Sequence, residues 1–128
     1  MFLEHVNMTV SDLRRTIAFY ENILGLKVRW RGKTSNGRDA AHVGDDRCYL
    51  ALFEAAKPGS PDRDYERPGI NHFGFVVDDL EVPRARLAAA GIEPHLEGDY
   101  DPGRRLYFYD PDGIEVELVQ YDEATTRS

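Results

Sequence analysis

The sequence is poor in cysteine, in long apolar runs and in basic residues, and each shortage excludes a class of protein. A single cysteine, Cys48, cannot form an internal disulfide and is interpreted as a small buried residue without a catalytic role. No apolar segment approaches the length needed to cross a bilayer. Lysine and arginine number 16 against 23 aspartate and glutamate residues, a net charge of −7, so neither a nucleic-acid partner nor an anionic-membrane partner is expected.

The rest of the composition is that of a folded domain. Hydrophobic residues make up 41% of the 128 residues and charged residues 30%, which predicts one compact domain over residues 1–128. Residues 1–5 run straight into a strand pattern and lack the basic and apolar regions of a signal peptide. We therefore expect a cytoplasmic protein.

A repeated pattern is the most informative feature of the chain. Histidine, then valine five, aspartate seven and leucine eight residues later, occurs from His5 and again from His72. A helix-like stretch and a glycine, Gly25 or Gly91, follow each copy. A duplicated module would place the two histidines at equivalent positions about an approximate two-fold axis. Two imidazoles that meet across such an axis are a natural start for a metal site.

Each copy predicts a strand, a helix and three further strands. In the first copy Ser11 or Asp12 can cap the helix and Gly25 can end it. The predicted elements cover residues 3–10, 13–24, 26–31, 38–43 and 48–53, then 70–77, 81–90, 93–97, 105–110 and 114–121. The chain thus divides into a first module of about residues 2–57, a proline- and glycine-rich linker of about 55–69, a second module of about 70–122 and a tail of 123–128.

The alternation of polar and apolar residues along two predicted strands indicates that their polar faces line a cavity. His5 and Asn7 share one face of the first strand, and Glu115 and Glu117 share one face of the last. Two glutamates on one strand face are unusual if that face is core. Two histidines and one of these glutamates would leave open positions on an octahedral ion and suit Fe(II), Mn(II) or a similar metal.

The doubled strand–helix–three-strand unit and the Tyr-Asp-Pro-Asp-Gly turn of residues 109–113 resemble the vicinal oxygen chelate superfamily. Its members include glyoxalase-type lyases, extradiol dioxygenases, fosfomycin-resistance transferases and bleomycin-binding proteins. Over about residues 2–122 the resemblance implies an α+β fold, with two βαβββ modules in tandem forming a half-open barrel around a central cavity. It also implies one divalent ion (Fe²⁺, Mn²⁺, Zn²⁺ or Ni²⁺) bound by His5, His72 and Glu117. Glu117 is preferred over Glu115 because the family's carboxylate lies four residues beyond the glycine of this turn.

Departures from the subfamilies bear on the reaction. Glyoxalase-type lyases use a fourth ligand from the last strand of the first half, where the repeat puts Leu50 or Ala51, neither of which can bind a metal. Glu54 is the nearest carboxylate and is expected on the opposite strand face, unless the strand bulges. These features count against a glyoxalase assignment.

The segment of residues 106–113, ending at Glu117, is similar to the second half of the extradiol dioxygenase signature, which would make Tyr107 a hydrogen-bond donor to the substrate. The histidine of that signature is missing around residues 98–100, and His95 is too early. The tyrosine-containing strand also resembles fosfomycin-resistance enzymes, although residues 119–121 differ from their segment after the glutamate. His42 and His95 have no repeat partners and are interpreted as structural or exposed.

The resemblance implies metal-dependent catalysis on a small substrate that chelates the ion through adjacent oxygens. Tyr107 would donate a hydrogen bond, Glu115 would move a proton, and Asn7 and Arg105 would contact the substrate. Three ligands rather than four favour dioxygenase-like or transferase-like chemistry slightly over glyoxalase-type isomerisation.

The alternative class is a metal-free drug-binding protein of the bleomycin-resistance type. Its aromatic cleft would come from Trp30, Tyr49, Phe73 and Phe75, although the two phenylalanines fall on the strand face opposite His72. The strand edges left by two half-barrels also make a homodimer plausible.

Overall fold

The computed structural model describes residues 1–57, 59, 64–100 and 102–122, and for residue 100 it describes the backbone only. The predicted tail of 123–128 and part of the predicted linker lie outside this range. The chain divides into two compact units, Met1–Ser60 and Pro61–Ser128. Each unit contains one helix and one four-stranded sheet.

The first unit has the predicted order of elements. They are β1 (His5–Val10), α1 (Leu13–Leu24), β2 (Lys27–Lys33), β3 (Asp39–Gly44) and β4 (Tyr49–Glu54). The sheet order is β1-β4-β3-β2, with β1 parallel to β4 and the other pairs antiparallel. Asp12 caps α1 by accepting a hydrogen bond from the Arg15 amide, and Gly25 ends the helix at a φ of 68°, which a residue without Cβ adopts without strain.

The second unit repeats this plan. Its elements are β5 (His72–Val76), α2 (Glu81–Ala89), β6 (Leu96–Tyr100), β7 (Gly103–Tyr109) and β8 (Glu115–Tyr121). The order β5-β8-β7-β6, with β5 parallel to β8, is the same as in the first sheet. The predicted pair of βαβββ modules is therefore confirmed. No helix of the described residues is long and apolar enough to span a membrane.

One predicted strand is displaced. The strand expected over residues 93–97 begins at Leu96 and runs to Tyr100. Pro94 has no amide hydrogen to donate to a strand ladder, so pairing begins only after it. The first hydrogen bond between this segment and β7 is donated by the His95 amide to the Tyr107 carbonyl oxygen, at 3.0 Å.

Alternation separates an apolar face from a polar face in both sheets. In β1, Met8 and Val10 are buried while His5 and Asn7 are exposed. In β8, Val116 and Leu118 are fully buried, whereas Glu115 and Glu117, on the other face, are only half-buried. Each unit thus carries its candidate functional residues on the sheet face that is not core.

Candidate functional site

The polar face of the second sheet brings five predicted residues together. Directly paired residues of neighbouring strands share a face, and His72 pairs with Glu115 while Tyr107 pairs with Glu117. The rings of His72 and Tyr107 meet edge to face, with centroids 5.5 Å apart. Arg105 lies two residues before Tyr107 on β7 and therefore on the same face.

Glu117 is held from two sides. The Nε2–H of His72 donates to Glu117 Oε1 at 3.0 Å, and the Nε–H of Arg105 donates to Oε2 at 2.9 Å. The carboxylate and the guanidinium are each only 16% exposed, so water screens their attraction weakly. Arg105, predicted to contact the substrate, therefore binds Glu117 in this structure.

Glu115 has partners of its own. Tyr65 donates its hydroxyl hydrogen to Oε1 at 2.9 Å, and the Nε2–H of His95 donates to Oε2 at 2.7 Å. The Nδ1 of His72 lies 3.7 Å from Oε1. Burial raises the pKa of the Glu115 carboxyl, but the bonds from His95 and Tyr65 and the nearby imidazoles bring it below its ordinary value. Glu115 is consequently ionised at neutral pH.

His95 and Tyr65 are the members of this cluster that sequence reasoning missed. His95 was interpreted as structural or exposed, yet its ring stacks on Tyr109 at a centroid distance of 4.0 Å and binds Glu115. Tyr65 falls in the stretch interpreted as linker. Pro94 was the one available signal for the position of His95. Because proline cannot donate to a strand ladder, the strand begins only after Pro94, and the His95 side chain does not follow the alternation expected for a strand starting at residue 93.

In the first unit, His5 lies at the start of β1 beside Tyr49 of β4. Its Nδ1–H donates to Glu4 Oε1 at 3.0 Å, and the Tyr49 hydroxyl donates to the same oxygen at 3.3 Å. The bond from His5 is the main cause of a lowered pKa at Glu4. Asn7, two residues along the same face, donates its amide hydrogen to the Ala51 carbonyl oxygen at 2.9 Å.

The register identifies the position in the first sheet that corresponds to Glu117. Asn7 pairs with Ala51 in the first sheet as Gly74 pairs with Glu117 in the second. Ala51, rather than Leu50, therefore occupies the position of a fourth ligand. Glu54 lies on the helix side, where its Oε1 accepts a hydrogen bond from the Leu13 amide at 3.0 Å.

A row of four rings crosses the polar face of the first sheet. Tyr49 stacks on His5 at 5.0 Å and on His42 at 4.4 Å, and His42 contacts the Trp30 indole at 4.8 Å. The Arg29 guanidinium lies 4.6 Å from the centre of the Tyr49 ring. Burial, with Arg29 nearby, lowers the pKa of His42, so this ring is neutral at pH 7.

Phe73, Phe75 and Cys48 are not part of the contacts described above. Phe73 and Phe75 contact each other at 5.6 Å and lie on the β5 face opposite His72, as expected from alternation. Cys48 is half-buried rather than buried. Burial and the neighbouring Asp45 raise the pKa of its thiol, which makes it a poor nucleophile.

Known proteins resemble this chain in sequence over most of its length. A sequence profile of the Glyoxalase/Bleomycin resistance protein/Dioxygenase superfamily matches residues 2–118. The chain is 32% identical to glutathione transferase FosA of Serratia marcescens, over 91% of this chain and 78% of that protein. It is 27% identical to catechol-2,3-dioxygenase of Bacillus subtilis, over 89% of this chain and 39% of that protein.

Solved structures show the same fold. The glyoxylase/bleomycin resistance protein/dioxygenase domain from Frankia sp. EAN1pec superposes with a TM-score of 0.83 at 30% identity, covering 98% of this chain and 95% of that one. A point mutant of the fosfomycin resistance protein FosX from Listeria monocytogenes, complexed with Mn(II) and 1S,2S-dihydroxypropylphosphonic acid, gives 0.72 at 26% identity over 98% and 94%. With its profile match over most of the sequence, this chain belongs to the Glyoxalase/Bleomycin resistance protein/Dioxygenase superfamily.

Proposed function

We propose that this protein is a divalent-metal-dependent enzyme whose small substrate binds the metal through two adjacent oxygens. His5, His72 and Glu117 are the proposed ligands of one Fe²⁺, Mn²⁺, Zn²⁺ or Ni²⁺ ion. The observation that carries the proposal is the separation of 3.0 Å between His72 Nε2 and Glu117 Oε1 on a polar sheet face.

This separation fits two ligands of one ion. Nitrogen and oxygen donors lie at about 2.1 Å from such ions, so two ligands at right angles stand about 3.0 Å apart. Among the described residues, no three His, Cys, Asp or Glu side chains form a group that could hold a metal. His72 and Glu117 of the second unit are the two proposed ligands seen side by side, and His5 of the first unit is proposed as the third.

Carboxylates behind the imidazoles support the assignment. Glu4 lies 3.0 Å from Nδ1 of His5, and Glu115 lies 3.7 Å from Nδ1 of His72. A carboxylate near one ring nitrogen favours the tautomer whose other nitrogen is free to bind a metal. His5 is thus prepared to bind through Nε2, whereas at His72 the Nε2 hydrogen donated to Glu117 would have to leave when an ion binds.

The bound ion would act as a Lewis acid on a substrate oxygen. Tyr107 is proposed to donate a hydrogen bond to that oxygen, and Asn7 and Arg105 to contact the substrate. Arg105 has a second role, because its bond to Glu117 orients that carboxylate. Glu115 is proposed to accept a proton, with Tyr65 and His95 holding its two oxygens in place.

The proposal extends to the class of reaction that the protein catalyses. Ala51 at the position of a fourth ligand argues against glyoxalase-type isomerisation, so dioxygenase-like or transferase-like chemistry is favoured. The FosX complex, which contains Mn(II) and a ligand with neighbouring hydroxyls, supports a chelating substrate. A homodimer and a cytoplasmic location stay predictions, the former tested by light scattering of the purified protein.

The test begins with metal analysis of protein purified without chelator. We expect close to one equivalent of divalent metal per chain, or its recovery on adding Mn(II), Fe(II), Zn(II) or Ni(II). Assays of the loaded protein with a catechol and oxygen, with fosfomycin and a thiol, and with a hemithioacetal then separate the three chemistries. Tyr107→Phe should lower the rate with the active substrate while leaving the metal content unchanged.

A metal-free binding protein is the second candidate, and the row of rings in the first sheet favours it. Less than about a tenth of an equivalent of metal per chain, not recovered on adding the four ions, would decide for this candidate. The imidazole–carboxylate contact at His72 favours the enzyme.

A further inference from the structure

The four rings of His5, Tyr49, His42 and Trp30 form what we call the ring row. We propose that the ring row binds the planar aromatic ring of a small anionic molecule, with Arg29 selecting for the negative charge. The inference does not depend on a bound metal. It rests on the proposed function only in identifying that molecule with the substrate.

A local irregularity in β2 builds the ring row. The pairing of β2 with β3 shifts by one residue between Val28 and Trp30, as at a β-bulge. In a regular strand Arg29 would lie opposite His42, and Trp30 would turn to the other face. The shift instead pairs Trp30 with His42 and leaves the Arg29 guanidinium over the Tyr49 ring. Both side chains thereby reach the polar face.

A glycine sets the direction of the indole. A Cβ at Gly32 would stand 2.3 Å from Cζ2 and 2.8 Å from Cη2 of Trp30, closer than real atoms approach. The indole therefore occupies the space beside position 32, where any side chain would displace it. Trp30 remains 44% exposed, so a face of a large aromatic ring is open to a ligand.

Ring chemistry and charge identify the occupant. The exposed indole of Trp30, at one end of the row, offers a π-face to a second planar ring, which a saturated ring cannot match. The positive charge of Arg29 favours an anion on that ring. The acidic group beside the row, Glu4, is engaged by His5 and Tyr49, which limits its repulsion of the anion.

The single tryptophan of the chain makes a direct test available. Its indole N–H gives one signal in a ¹H–¹⁵N spectrum, which is followed while the full chain is titrated with benzoate or with cyclohexanecarboxylate. The two probes have the same charge and nearly the same size, but only benzoate has a π-face. We expect benzoate to shift the Trp30 signal saturably, and cyclohexanecarboxylate to bind at least about threefold more weakly.

Three variants complete the test. Gly32→Ala, His42→Ala and Arg29→Gln should each weaken benzoate binding by about two- to tenfold, while circular dichroism shows an intact fold. Glu93→Gln, in the other unit, should leave benzoate binding unchanged. Equal binding of the two probes, or wild-type benzoate affinity in all three variants, would overturn the inference.

The two proposals fail in different ways. Saturable benzoate binding without any uptake of Mn(II) would overturn the proposed function and leave the ring row as a binding site. Mn(II) uptake that depends on His72, without benzoate binding, would overturn the ring row alone.

Discussion

The ring of Tyr49 stacks on the imidazole of His5 at a centroid distance of 5.0 Å and an angle of 16°. The contact joins a proposed metal ligand to the ring row, so one sheet face of the first unit carries parts of both proposals. Substitutions further along the row, at His42, affect the ring row without touching a proposed ligand. The two proposals can therefore be separated by mutation.

Replacing His72 by alanine should lower Mn(II) affinity sharply, because one of three proposed ligands is lost. We expect a loss of about 100-fold or more, given that outer-shell changes alone cost about 10–100-fold. His42→Ala is the matched control, since this ring contacts Tyr49 and Trp30 rather than Glu117, and should leave the affinity unchanged. Isothermal titration with Mn(II) measures both variants. Equal losses would show that the ligands were misassigned.

Removing the carboxylate of Glu115 should weaken metal binding less than removing a ligand. In Glu115→Ala the Nδ1 of His72 loses the neighbouring carboxylate, and we expect Mn(II) affinity to fall about 10- to 100-fold. Glu115→Gln keeps an oxygen acceptor without the charge and should lie between this variant and wild type. Glu93→Gln removes a carboxylate for which the structure gives no role at the site and serves as control. Wild-type affinity in Glu115→Ala would exclude the orienting role.

The turn before β8 should depend on the side chain of Asp110. Its Oδ1 accepts hydrogen bonds from the amides of Asp112 and Ile114 at 2.9 and 3.0 Å, and the residue is only 5% exposed. Asp110→Ala leaves two N–H groups without this acceptor and should lower the free energy of unfolding by about 2–3 kcal/mol. Asp110→Asn retains an oxygen at this position and should lose less. Urea denaturation monitored by circular dichroism compares the two, and equal losses would contradict the hydrogen-bond explanation.

Asp45 should make part of the stability dependent on pH. The amides of Cys48 and Arg47 donate to its Oδ1 and lower the pKa of its carboxyl below the ordinary value of 3.8. A carboxyl with a lowered pKa in the folded state stabilises the protein above its ordinary pKa, and this stabilisation is lost as pH falls through the folded value. Wild type should exceed Asp45→Asn in unfolding free energy by up to about 1 kcal/mol at pH 7.

The same difference should shrink once the pH falls below 3.8. Thermal or urea unfolding of both proteins at pH 7 and in acid measures it. Asp46→Asn, in the same turn, controls for loss of a negative charge in an acidic protein. A difference that stays constant with pH would show that the Asp45 carboxylate does not act through ionisation.

Much of the site could be predicted before its geometry was known. The repeat placed His72 at the start of the first strand of its module, and alternation placed Glu115 and Glu117 on one face of the last strand. Pairing of those parallel strands then brought His72 beside both carboxylates. The binding of a metal by this set stays a prediction.

Other parts of the cluster could not be predicted, because they depend on contacts between residues far apart in the chain. Tyr65 reaches Glu115 from a stretch without strand or helix periodicity, and His95 does so from just outside its strand. Nothing local to either residue indicates this partner. The displaced strand is a different case, because Pro94 cannot donate to a strand ladder and so was a local signal that pairing begins only after it.

The amino-acid sequence by itself determined the two βαβββ modules, the helix beginning after Asp12, the left-handed Gly25 and the turn at Asp110, because periodicity, caps and turns depend on neighbouring residues. Only the tertiary structure decided that Ala51, not Leu50, corresponds to Glu117, and that Arg29 and Trp30 reach the same sheet face. Both are matters of register. A shift of one residue between strands reverses the face of every side chain that follows, and pairing with a strand distant in sequence sets that shift.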